Sequence, residues 1–131
     1  MGVGGERHMI IEDGLYQFAY YISGSTATRP QFIGEGTGTT APVAANAALI
    51  TEIYPTTSRN AASTFLTDGV ITWKMSQGLT DGSTTNYAEH GLFTNSTTGV
   101  MYSRQTYPDT KKTGDVIMDD YIGLEVGSYL P

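Results

Sequence analysis

The chain has no cysteine, a single tryptophan and only seven basic side chains in 131 residues. Without cysteine there is neither a disulfide framework nor a thiolate metal site, and the redox compartment is left open. Packing alone has to hold the fold. Seven Lys and Arg against 13 Asp and Glu give a formal net charge of -6, which disfavours nucleic acid and anionic membrane surfaces as partners. No apolar run approaches the roughly 18 to 20 residues of a membrane-spanning helix, and the start "MGVGGERHM" lacks the apolar stretch of a secretory signal. Charge of either sign is missing between Glu35 and Glu52. Such a stretch suits an uncharged surface that rests against a partner.

What is present is small and β-prone: 20 Thr, 9 Ser and 16 Gly. The length fits one domain. Residues 1–12 read as a flexible leader or arm and 13–131 as a single β-rich domain. In "DGLYQFAYYISG", Leu15, Phe18, Ala19 and Ile22 fall at helical spacing, so the pattern predicts a helix with that face on the core. Asp13 is its expected N-cap and Gly24 its stop. A short strand "QFIGEG" follows Pro30, and "AANAALITEIY" predicts one to three helical turns with Asn46 as cap, ending before Pro55. From about Ala62 the period is two. "STFL" and "VITWKM" flank the turn "TDG"; "NYAEHGLF" and "VMYSRQTY" flank "TNSTTG"; "DVIMDDYIGLEV" closes the sheet. The expected fold is mainly β, an antiparallel β-sandwich of about five to seven strands with one or two short N-terminal helices.

The segment "GEGTGTTAP", Gly34 to Pro42, raises the question of phosphate binding. A P-loop needs a lysine and a hydroxyl after its last glycine, and a dinucleotide site needs a helix opening at the glycines inside a parallel βαβ unit. Here the first lysine is Lys74, Pro42 interrupts a helix start, and antiparallel hairpins follow. The glycines therefore read as a tight connector. Only His8 and His90 could serve as imidazole ligands or bases, and Glu89 and His90 point to opposite faces of one strand. That arrangement works against an orienting bond between them, and His90 reads as an exposed histidine. Asp119 and Asp120 likewise diverge, with one facing water. No catalytic set, metal or cofactor is expected.

Taken in order, "GLYQFAYYISG", "FIGEGTGTTAPVAANAALITEI", "EHGLF", "MYSRQTYP" and "KTGDVI" resemble a family of small tailed-phage virion structural proteins, over about residues 13 to 122. The matching positions are Gly36, Gly38, Thr39, Thr40, Ala41, Pro42, Leu49, Glu52, Ile53, Glu89, Gly91, Leu92, Phe93, Arg104, Tyr107, Lys112, Gly114 and Asp115. One departure is an arginine usually found soon after "E-I", for which "YPTTSR" supplies Arg59 several positions later. The resemblance implies a virion building block with no enzyme activity. On it rests the expectation of a capsid decoration (cement) protein that binds the major capsid protein or other virion proteins as a homo-oligomer, with a trimer as its form. A tail, neck or baseplate component or a fibre attachment domain is the alternative. A carbohydrate-binding module, with exposed tyrosines and Trp73 stacking on sugars, is the third reading. Subunit contact is expected around Gly34, Gly36, Gly38, Thr39, Thr40, Pro42, Glu89, Gly91, Leu92, Phe93 and Arg104, with Glu89 pairing to Arg104 if the strand register brings them to one face.

Overall fold

In the computed structural model, which describes residues 9–25, 28–79, 81, 85–114 and 117–125, the chain runs through β1 (Met9–Ile10), α1 (Glu12–Ile22), β2 (Phe32–Gly36), β3 (Glu52–Ile53), β4 (Asn60–Ala61), β5 (Ser63–Thr67), β6 (Val70–Gln77), β7 (Asn86–Phe93), β8 (Met101–Lys111) and β9 (Met118–Glu125). Two antiparallel sheets form a β-sandwich. The larger has the order β1-β8-β7-β2-β3 with β4 also on β2, and the smaller is β5-β6-β9. More strand segments appear than the five to seven expected because β1, β3 and β4 are two residues each. Pieces that short carry no period to read.

Both predicted hairpins form. Asp68 and Gly69, at φ 51 and 79, make the two-residue turn between β5 and β6, the left-handed geometry that an Asp-Gly pair adopts at low cost. In the second hairpin Asn95 accepts the N–H groups of Thr97 and Thr98, and Gly99 takes φ 84 to bring the chain into β8. Ile33 and Leu92 of the large sheet meet Trp73, Met75, Ile122 and Leu124 of the small one in the main core.

The N-terminal region departs from the sequence reading in three ways. Met9–Ile10 pairs with β8 and Ile11 is fully buried, so the ordered domain already includes residues assigned to a leader; residues 1–8, with His8, lie outside the described ones. Asp13 does not cap α1: the N-cap is Ile11, without a side-chain bond, and Glu12 and Asp13 sit in the first turn, where carboxylates favour the positive end of the helix dipole. Gly24 does stop the helix, at φ 81. The third departure is the face that packs. Leu15 and Ile22 are exposed, Ile22 at 85%, and the one buried residue of the helix is Gly14. A Cβ there would lie 2.3 Å from the Tyr102 carbonyl oxygen. Lacking a side chain, Gly14 lets the helix backbone come down on β8, and this approach outcompetes the apolar stripe beside it.

The second helix does not form. Between β2 and β3 the chain is an irregular loop, and Asn46 organises it as a turn instead: its Oδ1 accepts the Val43 N–H and its own N–H donates to the Val43 carbonyl. Leu49 is buried with Ile11, Phe93 and Met101, on the side of the large sheet that faces away from the small one. The loop is thus a third layer.

Candidate functional site

Period two in β2 explains the alternate glycines. Ile33 and Glu35 face the small sheet, while Gly34 and Gly36 lie on the outer face. Gly34 stands opposite Gly91, and Gly36 opposite Glu89. A Cβ at Gly36 would lie 2.3 Å from the Thr51 carbonyl oxygen, one at Gly38 would lie 2.6 Å from Glu89 Oε1, and one at Gly91 would lie 2.6 Å from the Ser103 carbonyl oxygen. At Gly36 and Gly38 the loop and the Glu89 that holds it occupy the place of a side chain, and at Gly91 the neighbouring strand β8 does.

What ties the loop down is the Glu89–Arg104 pair. Arg104 is opposite Gly91 and Glu89 opposite Thr106, so the two side chains meet diagonally on the outer face, fully buried, with Arg104 Nε 2.8 Å from Glu89 Oε2. Glu89 also accepts the N–H groups of Gly38 (3.1 Å), Ile50 (3.0 Å) and Thr51 (2.8 Å). Arg104 donates to the Thr40 carbonyl at 2.8 Å and to Asn46 Oδ1 at 3.3 Å. Burial opposes ionisation of Glu89, but the Thr51 and Ile50 N–H groups together with Arg104 outweigh it and hold its carboxyl below the usual range. One ion pair from β7 and β8 therefore fixes the start, middle and end of a segment that has no charge of its own. Beside it, Arg59 pairs with Glu52 at 2.6 Å, donates to the Asn95 and Thr98 carbonyls and lies 3.5 Å over the Phe93 ring. Gly34 lies under this pair, where a Cβ would meet Glu52 and Phe93 at 2.7 Å.

Of the residues singled out in the sequence, Gly34, Gly36, Gly38, Glu89, Gly91, Phe93 and Arg104 therefore converge on this outer face. Thr39 and Thr40 are exposed on the loop it holds, and Pro42 is half-buried there. Leu92 does not join them; it points into the core between the sheets. No family model, curated protein or solved structure matches the chain. The function therefore has to be argued from this geometry.

His90 was expected to be exposed, and it is fully buried. On the inner face, its Nδ1 lies 2.8 Å from both carboxylate oxygens of Asp120 on β9 and its ring stacks edge-on with Tyr107. Glu35 accepts bonds from Gln77 and Tyr107, and Gln77 accepts one from Tyr87. This polar cluster joins the two sheets. The reading of β7 as a strand with one wet face missed it, because the loop layer and the small sheet cover both faces. Asp119, one residue before Asp120, turns outward to Ser76 and Lys74, as alternation requires. Asp120 is pushed up to about 7 by burial, and Glu35 lies well above the usual carboxylate range through burial and then the adjacent Asp120.

These shifts set a pH dependence. A carboxyl raised in the folded state keeps its proton there after the unfolded chain has lost it, so its contribution is full below the unfolded value and fades as pH rises. Glu89 has the opposite sign and loses its contribution as pH falls below its unfolded value of about 4.5. Stability should be highest near pH 4 and decline from there toward pH 7, with a slope of up to about 1.4 kcal/mol per pH unit for each raised group. Urea midpoints across pH 4–8 test this, and Asp120→Asn should flatten the alkaline limb. Midpoints that rise from pH 5 to 8 would contradict it.

Trp73 belongs to the core, with Nε1 donating to the Pro30 carbonyl at 3.0 Å. Its ring is not an exposed sugar platform, which leaves the carbohydrate reading its exposed tyrosines, Tyr16, Tyr20 and Tyr21 among them, without the tryptophan. Next to it a groove of about 440 Å³ opens between α1 and the β5–β6 hairpin, lined by Phe18, Tyr21, Ile71, Trp73 and Tyr102 with Arg29 among them.

Proposed function

We propose that this chain is a virion structural protein, a capsid decoration subunit that binds the outer shell of a tailed-phage head in many copies through a preformed uncharged surface. The observation that supports this reading is the loop layer. Thr39 to Ala41, Val43 to Ala45, Ala47, Ala48, Ile50 and Thr51 are exposed, yet the backbone beneath them is fixed by Glu89 and Arg104. A surface ordered before contact loses little conformational entropy on docking. With no charge to desolvate, a modest interface suffices when many copies act together.

The test is to place the chain in purified particles by reconstruction, and to add Val43→Asp with Ala47→Asp. Both positions are exposed, so the thermal midpoint should hold while copies per particle fall by about tenfold or more, since each new carboxylate has to be desolvated at the contact. Full occupancy by the variant, or absence of the chain from particles, overturns the proposal. Density confined to tail, neck or baseplate would favour the alternative virion position.

A further inference from the structure

The two edges of the small sheet differ sharply. β9 carries Asp119 on one face and the inward Asp120 on the other, and charge of that kind protects an edge from pairing with other chains. On the large sheet, β8 continues beyond β1 with Pro108 and Lys111 in it, while β3 and β4 are two residues long. β5, "STFLT", has no charge, no proline and no bulge, and every residue in it is exposed: Phe65 at 53% and Leu66 at 73%.

The turn settles which of its backbone groups are open. A two-residue hairpin turn closes on a hydrogen-bonded pair, here Thr67 with Val70. By alternation Ser63 and Phe65 also turn their N–H and C=O groups toward β6, and Thr64 and Leu66 turn theirs away from it. Ala62 confirms the parity, since its N–H points away from β6 and donates to the Gln31 carbonyl at 2.8 Å. Among the described residues, β5 has β6 as its one partner strand.

We infer that β5 is a self-association edge, and that two copies of the chain pair antiparallel through it about a twofold axis centred on Phe65. Open groups on Thr64 and Leu66 call for another strand, and this strand is complementary to itself in one register. With Phe65 opposite Phe65 of the second copy, Thr64 of each faces Leu66 of the other, and all four outward N–H and C=O pairs are used. Shifting the centre to Thr64 would require Ala62, whose N–H is already committed to Gln31. In the favoured register the pairing runs over Thr64 to Leu66 of each copy and stops short of Ala62, whose outer edge Gln31 already holds, so the acidic turns of two negatively charged chains, each with its Asp68, stand at opposite ends of the interface. The two Phe65 rings form the close cross-strand pair that aromatic residues favour. The result is a continuous six-stranded sheet, β9-β6-β5 followed by its twofold copy. A head-to-tail ring of β5 on β9 would instead have to bring an uncharged edge against the guarded one.

The inference does not depend on a virion role, because it is tested on the purified full chain. Sedimentation velocity should give a reversible monomer–dimer equilibrium. Phe65→Lys and Phe65→Glu, each placing like charges face to face, should weaken it by about tenfold or more, and an equimolar mixture of the two should recover the dimer. Amide exchange offers a second readout on the unmodified protein: protection at Thr64 and Leu66 should rise with concentration, whereas Phe65, already bonded within the hairpin, should not change. A monomer at all concentrations, a trimer indifferent to these substitutions, or a mixture that stays monomeric would overturn the inference. So would exchange at Thr64 and Leu66 that ignores concentration.

Discussion

Arg104→Met should lower the unfolding free energy by about 3–5 kcal/mol, because it leaves a fully buried carboxylate at Glu89 without its counter-ion. That is a large fraction of the roughly 5–15 kcal/mol that a domain of this kind has. The loss should depend on pH. In the variant, Glu89 is freed from the charge that favours its ionised form, so protonation relieves much of the cost and the gap to the unmodified protein narrows toward pH 4. Denaturant titrations at pH 4 and pH 7 would show this, and a gap that is the same at both would count against a buried-charge mechanism. Glu89→Gln with Arg104→Met in a double-mutant cycle gives the coupling of the pair: the Gln oxygen can still accept the Gly38 and Thr51 N–H groups, while its amide nitrogen turns a donor toward the Ile50 N–H, a loss common to both Glu89→Gln arms of the cycle. The loop should also loosen. Faster amide exchange at Gly38, Ile50 and Thr51, whose N–H groups Glu89 accepts, would report it directly.

A comparable effect is expected at the glycines. Gly36→Val forces a side chain into a space where even a Cβ meets the Thr51 carbonyl oxygen at 2.3 Å and Glu89 Oε1 at 2.7 Å. The obstruction includes backbone, which has no rotamer to retreat into, so a cost of about 3 kcal/mol or more is expected. Gly38→Val meets Ile50 Cβ and Glu89 and should behave alike. Gly69→Ala provides the contrast. Gly69 has φ 79 and open space around it, so its cost is conformational and about 1 kcal/mol. Chemical denaturation of the three variants therefore separates crowding from backbone strain. Equal losses at Gly36 and Gly69 would mean that the loop does not press on the sheet.

The hairpins were legible because their signals are local. Asp68-Gly69 dictates a turn, and the alternation in β6, β7 and β9 dictates strands. The Glu89–Arg104 pair was accessible for a related reason: once β7 and β8 are joined by a short connection, few registers remain, and one of them places the two charges diagonally on one face. The segment "AANAALITEIY" failed because alanine and leucine favour a helix wherever nothing stronger acts. Here Glu89 takes the N–H groups of Ile50 and Thr51 and Asn46 closes a turn, so hydrogen bonds from a distant strand replace those a helix would have made. His90 was misjudged for a different reason. Burial on both faces of β7 arises from a loop and a second sheet that come from remote parts of the chain.

By itself, then, the sequence determined a β-rich domain without disulfides, two tight hairpins, a glycine-spaced connector unfit for phosphate and a long stretch without charge. These follow from covalent chemistry, backbone preference and period, which act over a few residues. Only the tertiary structure decided that the connector's glycines are contact points for a third layer, that an ion pair holds this layer, that α1 packs through Gly14, and that β5 ends as an open edge. Each of those depends on which surfaces the remaining chain covers, a property that no local window of residues contains.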